Sequence, residues 1–81
     1  MNQKILFVDD EPAALCLYRQ TLKGEFDIST AAGGGDGLAL LRNLGPFAIV
    51  ISNMQMPGMD GVQFLKRVRQ VAPNTVRLLY Y

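Results

Sequence analysis

Ile49-Val50-Ile51-Ser52-Asn53-Met54-Gln55-Met56-Pro57-Gly58-Met59-Asp60-Gly61 decides how this chain is read. An apolar run ends on a small polar residue. A Met-Pro-Gly-Met turn follows, and Asp60-Gly61 opens a helix. That layout sets position 53 at the carboxyl end of a buried strand, where open α/β sheets hold their ligand sites. Position 53 carries an amide, not a carboxylate.

Working outward, Lys4-Ile5-Leu6-Phe7-Val8 is a second apolar run, halted by Asp9-Asp10-Glu11. Continuous runs of this length suit strands buried on both faces, hence a parallel sheet. Pro12 fits the first turn of a helix, where its missing N–H costs nothing. That helix runs to about Lys23, with Leu15, Tyr18 and Leu22 on one stripe and Gly24 as its stop. Phe26 to Thr30 alternates apolar and polar, as an edge strand wetted on one side does. Gly33-Gly34-Gly35 reads as a flexible loop without the trailing Lys-Ser/Thr of a phosphate-binding loop. A helix from about Asp36 to Leu44 turns Leu38, Leu41 and Leu44 inward. Phe47 to Ile51 is the next strand. A helix from Gly61 to Val71 buries Phe64, Leu65, Val68 and Val71, and Pro73-Asn74 breaks it. Val76 to Tyr81 is the last strand. The order β-α-β-α-β-α-β with short connections predicts a doubly wound parallel α/β sheet, and residues 1–81 read as one domain.

Composition narrows the function. Eight basic and seven acidic residues leave a net charge of +1, which favours neither nucleic acid nor a membrane surface. The apolar runs are far shorter than the ~20 residues that span a bilayer. Cys16 is alone, so no internal disulfide or cysteine metal site is expected, and the N-terminus lacks a secretory h-region. A reducing cytoplasm is the natural compartment. There is no His, which removes the usual general base. Lys66, Arg67 and Arg69 read as a solvated basic face. Met54, Met56 and Met59 read as packing within their loop.

The fold brings the ends of the first and third strands together, and with them Asp9, Asp10 and Asn53. Adjacent carboxylates beside a third polar group suit a hard cation such as Mg²⁺. Alone, the acidic triplet serves equally to cap the helix at Pro12. Together, the stretches Ile5 to Pro12 and Ser52 to Gly61 resemble the two signature motifs of response-regulator receiver domains of two-component signalling. Thr30-Ala31, Gly34 and Leu38 match as well. The resemblance implies a flavodoxin-like sheet of strand order 2-1-3-4, shortened to four strands and three helices. It also implies a sensor histidine kinase, or another response regulator, as partner. Asp10 would ligate Mg²⁺ directly and Asp9 partly through water, with the backbone carbonyl of Gln55 as a further ligand. Asp60 would cap the third helix.

Three departures from that pattern bear on function. The phosphoacceptor position is Asn53, whose neutral amide is a poor nucleophile, so any Mg²⁺ held there is held weakly. The switch Ser/Thr position falls at about Tyr81, where no hydroxyl sits close to the backbone. Lastly, the chain stops before the family's fourth helix, fifth strand and fifth helix, so its conserved Lys has no counterpart. The free edge of the last strand and the apolar Leu78, Leu79, Tyr80 and Tyr81 invite pairing with a second copy. The reading that follows is a degenerate receiver, not an enzyme, acting as a phosphorylation-independent interaction module. The alternative is an inactivated or shortened form of an ordinary phosphoaccepting receiver. A haloacid-dehalogenase-type phosphohydrolase spaces its acids Asp-x-Asp, and Asp9 and Asp10 are adjacent.

Overall fold

The computed structural model describes residues 3–81. Strand β1 (Lys4–Val8) lies at the centre, and the chain winds about it through α1 (Pro12–Leu22), β2 (Asp27–Ala31), α2 (Gly34–Leu44), β3 (Ile49–Asn53), α3 (Gly61–Val71) and β4 (Val76–Tyr80). The four strands are parallel in the order β2-β1-β3-β4. This is the flavodoxin-like arrangement of four strands and three helices that the resemblance implies.

Register divides the side chains between two faces. Val8, Ser52 and Leu79 are level with one another and point to the α2/α3 side, while Phe7, Ile51 and Leu78 point to the α1 side. The main core lies on the α2/α3 side, where Leu6, Val8, Val50, Phe64 and Val68 are fully buried. On the α1 side, Phe7 stacks on Tyr18 with ring centroids 4.4 Å apart. Helix α1 buries no residue completely, and its expected stripe of Leu15, Tyr18 and Leu22 is half-covered. Val76 and Leu78, on the same side of the sheet, are exposed.

Several boundaries differ from those read in the sequence. Helix α2 begins at Gly34 rather than Asp36, so the glycine run is not all loop. Packing explains it: a Cβ on Gly34 would lie 2.6 Å from Met59 Sδ, and one on Gly37 would lie 2.9 Å from the Phe64 ring. Close approach to the core thus overrides glycine's poor helix propensity. Leu44 is exposed, not inward. At 3.6 residues per turn, two steps of three from Leu38 drift about 120° off its stripe. Lys4 Nζ caps this helix end by donating to the Leu44 carbonyl, and it also lies over the Phe47 ring. Val71 is likewise exposed, because the helix ends there and Ala72 packs on the core instead. Strand β3 starts at Ile49, two residues late, and so carries Asn53 as its last residue. Strand β2 is shifted by one residue, and β4 ends at Tyr80, leaving Tyr81 exposed.

Candidate functional site

At the carboxyl end of the sheet the two acidic residues part company. Asp9 continues the direction of β1 and is buried, with its N–H donating to the Ala31 carbonyl at 3.1 Å. Asp10 turns outward and is exposed. It lines an open cavity of about 470 Å³ with Met54, Gln55, Met56, Pro57 and Asp60.

The opposite wall is the turn after β3. Met54 N–H donates to the Tyr80 carbonyl at 2.7 Å, and Gly61 N–H donates to the Met54 carbonyl at 2.8 Å. Gly58 reverses the chain with φ at +77°, a conformation glycine adopts without strain. Asp60 caps α3 reciprocally: its carboxylate accepts from Gln63 N–H at 2.8 Å, and its own N–H donates to Gln63 Oε1 at 3.0 Å. Met56 is buried and Met59 packs on the core, so these methionines hold the loop down.

Asn53 reaches into the centre of this arrangement. Its Nδ2 donates to Asp9 Oδ1 at 3.3 Å and to the Gln55 carbonyl at 2.9 Å. Both neighbours are acceptors, so the amide must turn its NH₂ and not its oxygen toward them. Asp9 Oδ1 also accepts from Glu11 N–H at 3.0 Å. Its Oδ2 accepts from the Tyr80 hydroxyl at 2.5 Å. The Asp9 carboxylate is therefore held by three donors. Burial first, and then the hydrogen bond to Asp9, keep the Tyr80 phenol well above the usual tyrosine range.

These residues do not fit a hard cation as they are arranged. Such an ion needs converging oxygens, and the NH₂ of Asn53 stands between two of the expected ligands, Asp9 and the Gln55 carbonyl. Among the described residues no three His, Cys, Asp or Glu side chains gather as a metal site.

The structure thus brings Asp9, Asn53 and Gln55 together, and leaves Asp10 at the rim. Tyr80, read from the sequence as an edge residue, is the member of the site that the sequence reading missed. Strand parity was the available signal. Tyr80 is level with Asn53 in the β3–β4 register and falls on the same face. Tyr81, assigned to the switch position, is 92% exposed. Leu79 is half-buried on the α3 side and Leu78 is exposed on the other, so the proposed interface residues do not form one face.

Comparison with known proteins agrees with this geometry. The family model described as the response regulator receiver domain matches residues 5–80. The chain is 37% identical over 75 residues to the hydrogenase transcriptional regulatory protein HoxA of Cupriavidus necator, covering 93% of this chain and 15% of that protein. It is 35% identical over 75 residues to sporulation initiation phosphotransferase F of Bacillus subtilis, covering 91% of this chain and 60% of the relative. Among solved structures, chemotaxis protein CheY4 of Vibrio cholerae superposes with a TM-score of 0.90 at 32% identity, over 98% of this chain and 68% of that one. A chain described as adenylate cyclase from Rhodopirellula baltica gives 0.93 at 33% identity, over 98% and 58%. The 81-residue chain thus spans less than two thirds of the length of these curated relatives. With its sheet order, its acidic β1 end and its β3 turn, the chain belongs to the response-regulator receiver domain family, with Asn53 at the phosphoacceptor position.

Proposed function

We propose that this receiver works by recognition alone, as a module of two-component signalling whose state does not depend on phosphorylation. The supporting observation is the Asn53 amide. A receiver's chemistry needs a carboxylate nucleophile, and Asn53 offers an NH₂ engaged with Asp9 and Gln55. Receiver domains are signalling modules rather than enzymes, and this chain acts as one in the cytoplasm. Its partners are a sensor histidine kinase or another response regulator. Any Mg²⁺ is held weakly, with Asp10 as the accessible carboxylate, because the Asn53 NH₂ must first turn away from Asp9 and the Gln55 carbonyl. The switch position at Tyr81 relays nothing from the site.

Self-association supplies a second contact. In β4 the outer backbone edge and the exposed Val76 and Leu78 offer an apolar strand to a second copy, so a two-fold dimer forms there. Sedimentation over a range of concentrations, with and without a small phosphodonor plus Mg²⁺, tests both claims. We expect a concentration-dependent dimer that the phosphodonor leaves unchanged. A clean monomer at high micromolar concentration contradicts the dimer, and a phosphodonor-dependent shift contradicts the independence from phosphorylation.

A further inference from the structure

The Asp9 carboxylate is nearly saturated with donors. A carboxylate offers about four lone-pair positions, shared between its oxygens. Oδ1 accepts from both the Glu11 N–H at 3.0 Å and the Asn53 NH₂ at 3.3 Å. Oδ2 accepts from the Tyr80 hydroxyl at 2.5 Å. The Asn53 NH₂ also donates to the Gln55 carbonyl at 2.9 Å, so it bridges two oxygens that a hard cation would have to bring together. Neutral N–H and O–H groups thus do for this buried charge what a cation would do: they replace the hydration it loses.

Asn53 explains only part of that arrangement. An aspartate in its place would remove the NH₂ and release Oδ1 and the Gln55 carbonyl, but Oδ2 would stay bonded to Tyr80. The Tyr80 hydroxyl is held in position from two directions. Backbone pairing sets Tyr80 level with Asn53. Its ring meets Tyr18 edge-on, with centroids 6.0 Å apart and an interplanar angle of 78°. Tyr18 in turn stacks at 4.4 Å on Phe7, which is buried in β1 beside the Asp9 end of the strand. A run of rings from β1 through α1 therefore returns the hydroxyl to the carboxylate that β1 presents. A donor ordered by the fold binds with little further entropy cost, and a competing ion has to displace it.

We propose that Tyr80 is a second lock on Asp9 beside Asn53: its hydroxyl withholds the carboxylate from a divalent cation, so an aspartate at position 53 does not by itself restore a full metal site. Tyr80 is a positioning residue here and acts through Asp9. The lock deepens the phosphorylation-independent reading of the same site, yet it rests on the donors around Asp9. Its failure would leave the inertness of Asn53 standing, and a phosphoryl adduct on the parent chain would leave the lock standing.

The test is a Mg²⁺ titration of the parent protein, Asn53→Asp and the double variant Asn53→Asp with Tyr80→Phe, followed by NMR shifts of the labelled chains. Phe keeps the ring against Tyr18 and removes only the hydroxyl. We expect the double variant to bind Mg²⁺ at least about tenfold more tightly than Asn53→Asp, and the parent to bind more weakly than either. A second measurement leaves Tyr80 in place. In Asn53→Asp the ring carbon that bears the Tyr80 hydroxyl should shift as Mg²⁺ binds, because the hydroxyl gives up Asp9. A tyrosine that only ties β4 to β1 would alter stability and produce neither effect. Equal affinities of Asn53→Asp and the double variant overturn the proposal. So does a Tyr80 ring carbon that stays unmoved while Mg²⁺ saturates Asn53→Asp, or a double variant that binds no Mg²⁺ at tens of millimolar.

Discussion

The Tyr80 hydroxyl donates to Asp9 Oδ2 at 2.5 Å, joining the end of β4 to the end of β1 across 71 positions of sequence. Tyr80 also meets Tyr18 edge-on at 6.0 Å, so one side chain ties the site to helix α1. Tyr80→Phe keeps the ring and removes the bond, leaving a buried carboxylate short of one donor. We expect a loss of about 1.5–3 kcal/mol in urea unfolding, the usual worth of a hydrogen bond to a charged group. Stability within a few tenths of the parent would mean that water replaces the phenol without cost.

The same bond makes alkaline stability depend on Tyr80. Its folded pKa is raised above the ordinary value of 10.0, so the folded state holds the phenolic proton more tightly than the unfolded chain does. The contribution is fully present below about pH 10 and is lost as pH rises beyond it, because unfolding then releases the proton. Unfolding monitored between pH 8 and 11 should therefore show a downward slope above pH 10 that is shallower in Tyr80→Phe. An identical slope in both proteins would remove Tyr80 from the cause.

Asn53→Asp exchanges a donor for a charge. The hydrogen bonds to Asp9 and to the Gln55 carbonyl disappear, and two carboxylates about 4 Å apart repel by about 4 kcal/mol at an effective dielectric of 20. Because the site opens to solvent on the Asp10 side, the expected loss without metal is smaller, about 1–3 kcal/mol. Added Mg²⁺ should then raise the Tm of Asn53→Asp and leave that of the parent nearly unchanged, since only a ligand bound by the folded state stabilises it. Equal responses to Mg²⁺ in the two proteins would show that the amide does not govern cation affinity.

Gly61 sets how closely α3 approaches the site. A Cβ there would collide with the Asn53 carbonyl and lie 2.6 Å from Leu79 Cδ1 and 2.9 Å from Met54 Cα. Two of those neighbours are backbone and cannot rotate away. Gly61→Ala should cost about 1–3 kcal/mol by overpacking, despite alanine's better helix propensity. A neutral or stabilising result would show that the β3–α3 turn yields freely.

How much of this was legible in the sequence varies with the range of the interaction. The apolar runs at Lys4–Val8 and around Ile49–Ile51, the Asp60 cap and the strand order were readable, because local pattern or family motif carries them. Helix α2 was misplaced at its start because Gly34 and Gly37 are chosen by contacts with Met59 and Phe64, which lie far along the chain. Tyr80 escaped for a related reason. Its role depends on β3–β4 register, which side-chain type alone does not disclose.

The central claim is that Asn53 preserves the shape of a phosphoacceptor site while withholding its nucleophile. Incubating the parent chain and Asn53→Asp with a small acyl phosphate and Mg²⁺, and reading intact mass, addresses it most directly. We expect no phosphoryl adduct on the parent chain. An adduct that appears only on Asn53→Asp would locate the defect at that side chain. A phosphoryl adduct on the parent chain would contradict the account.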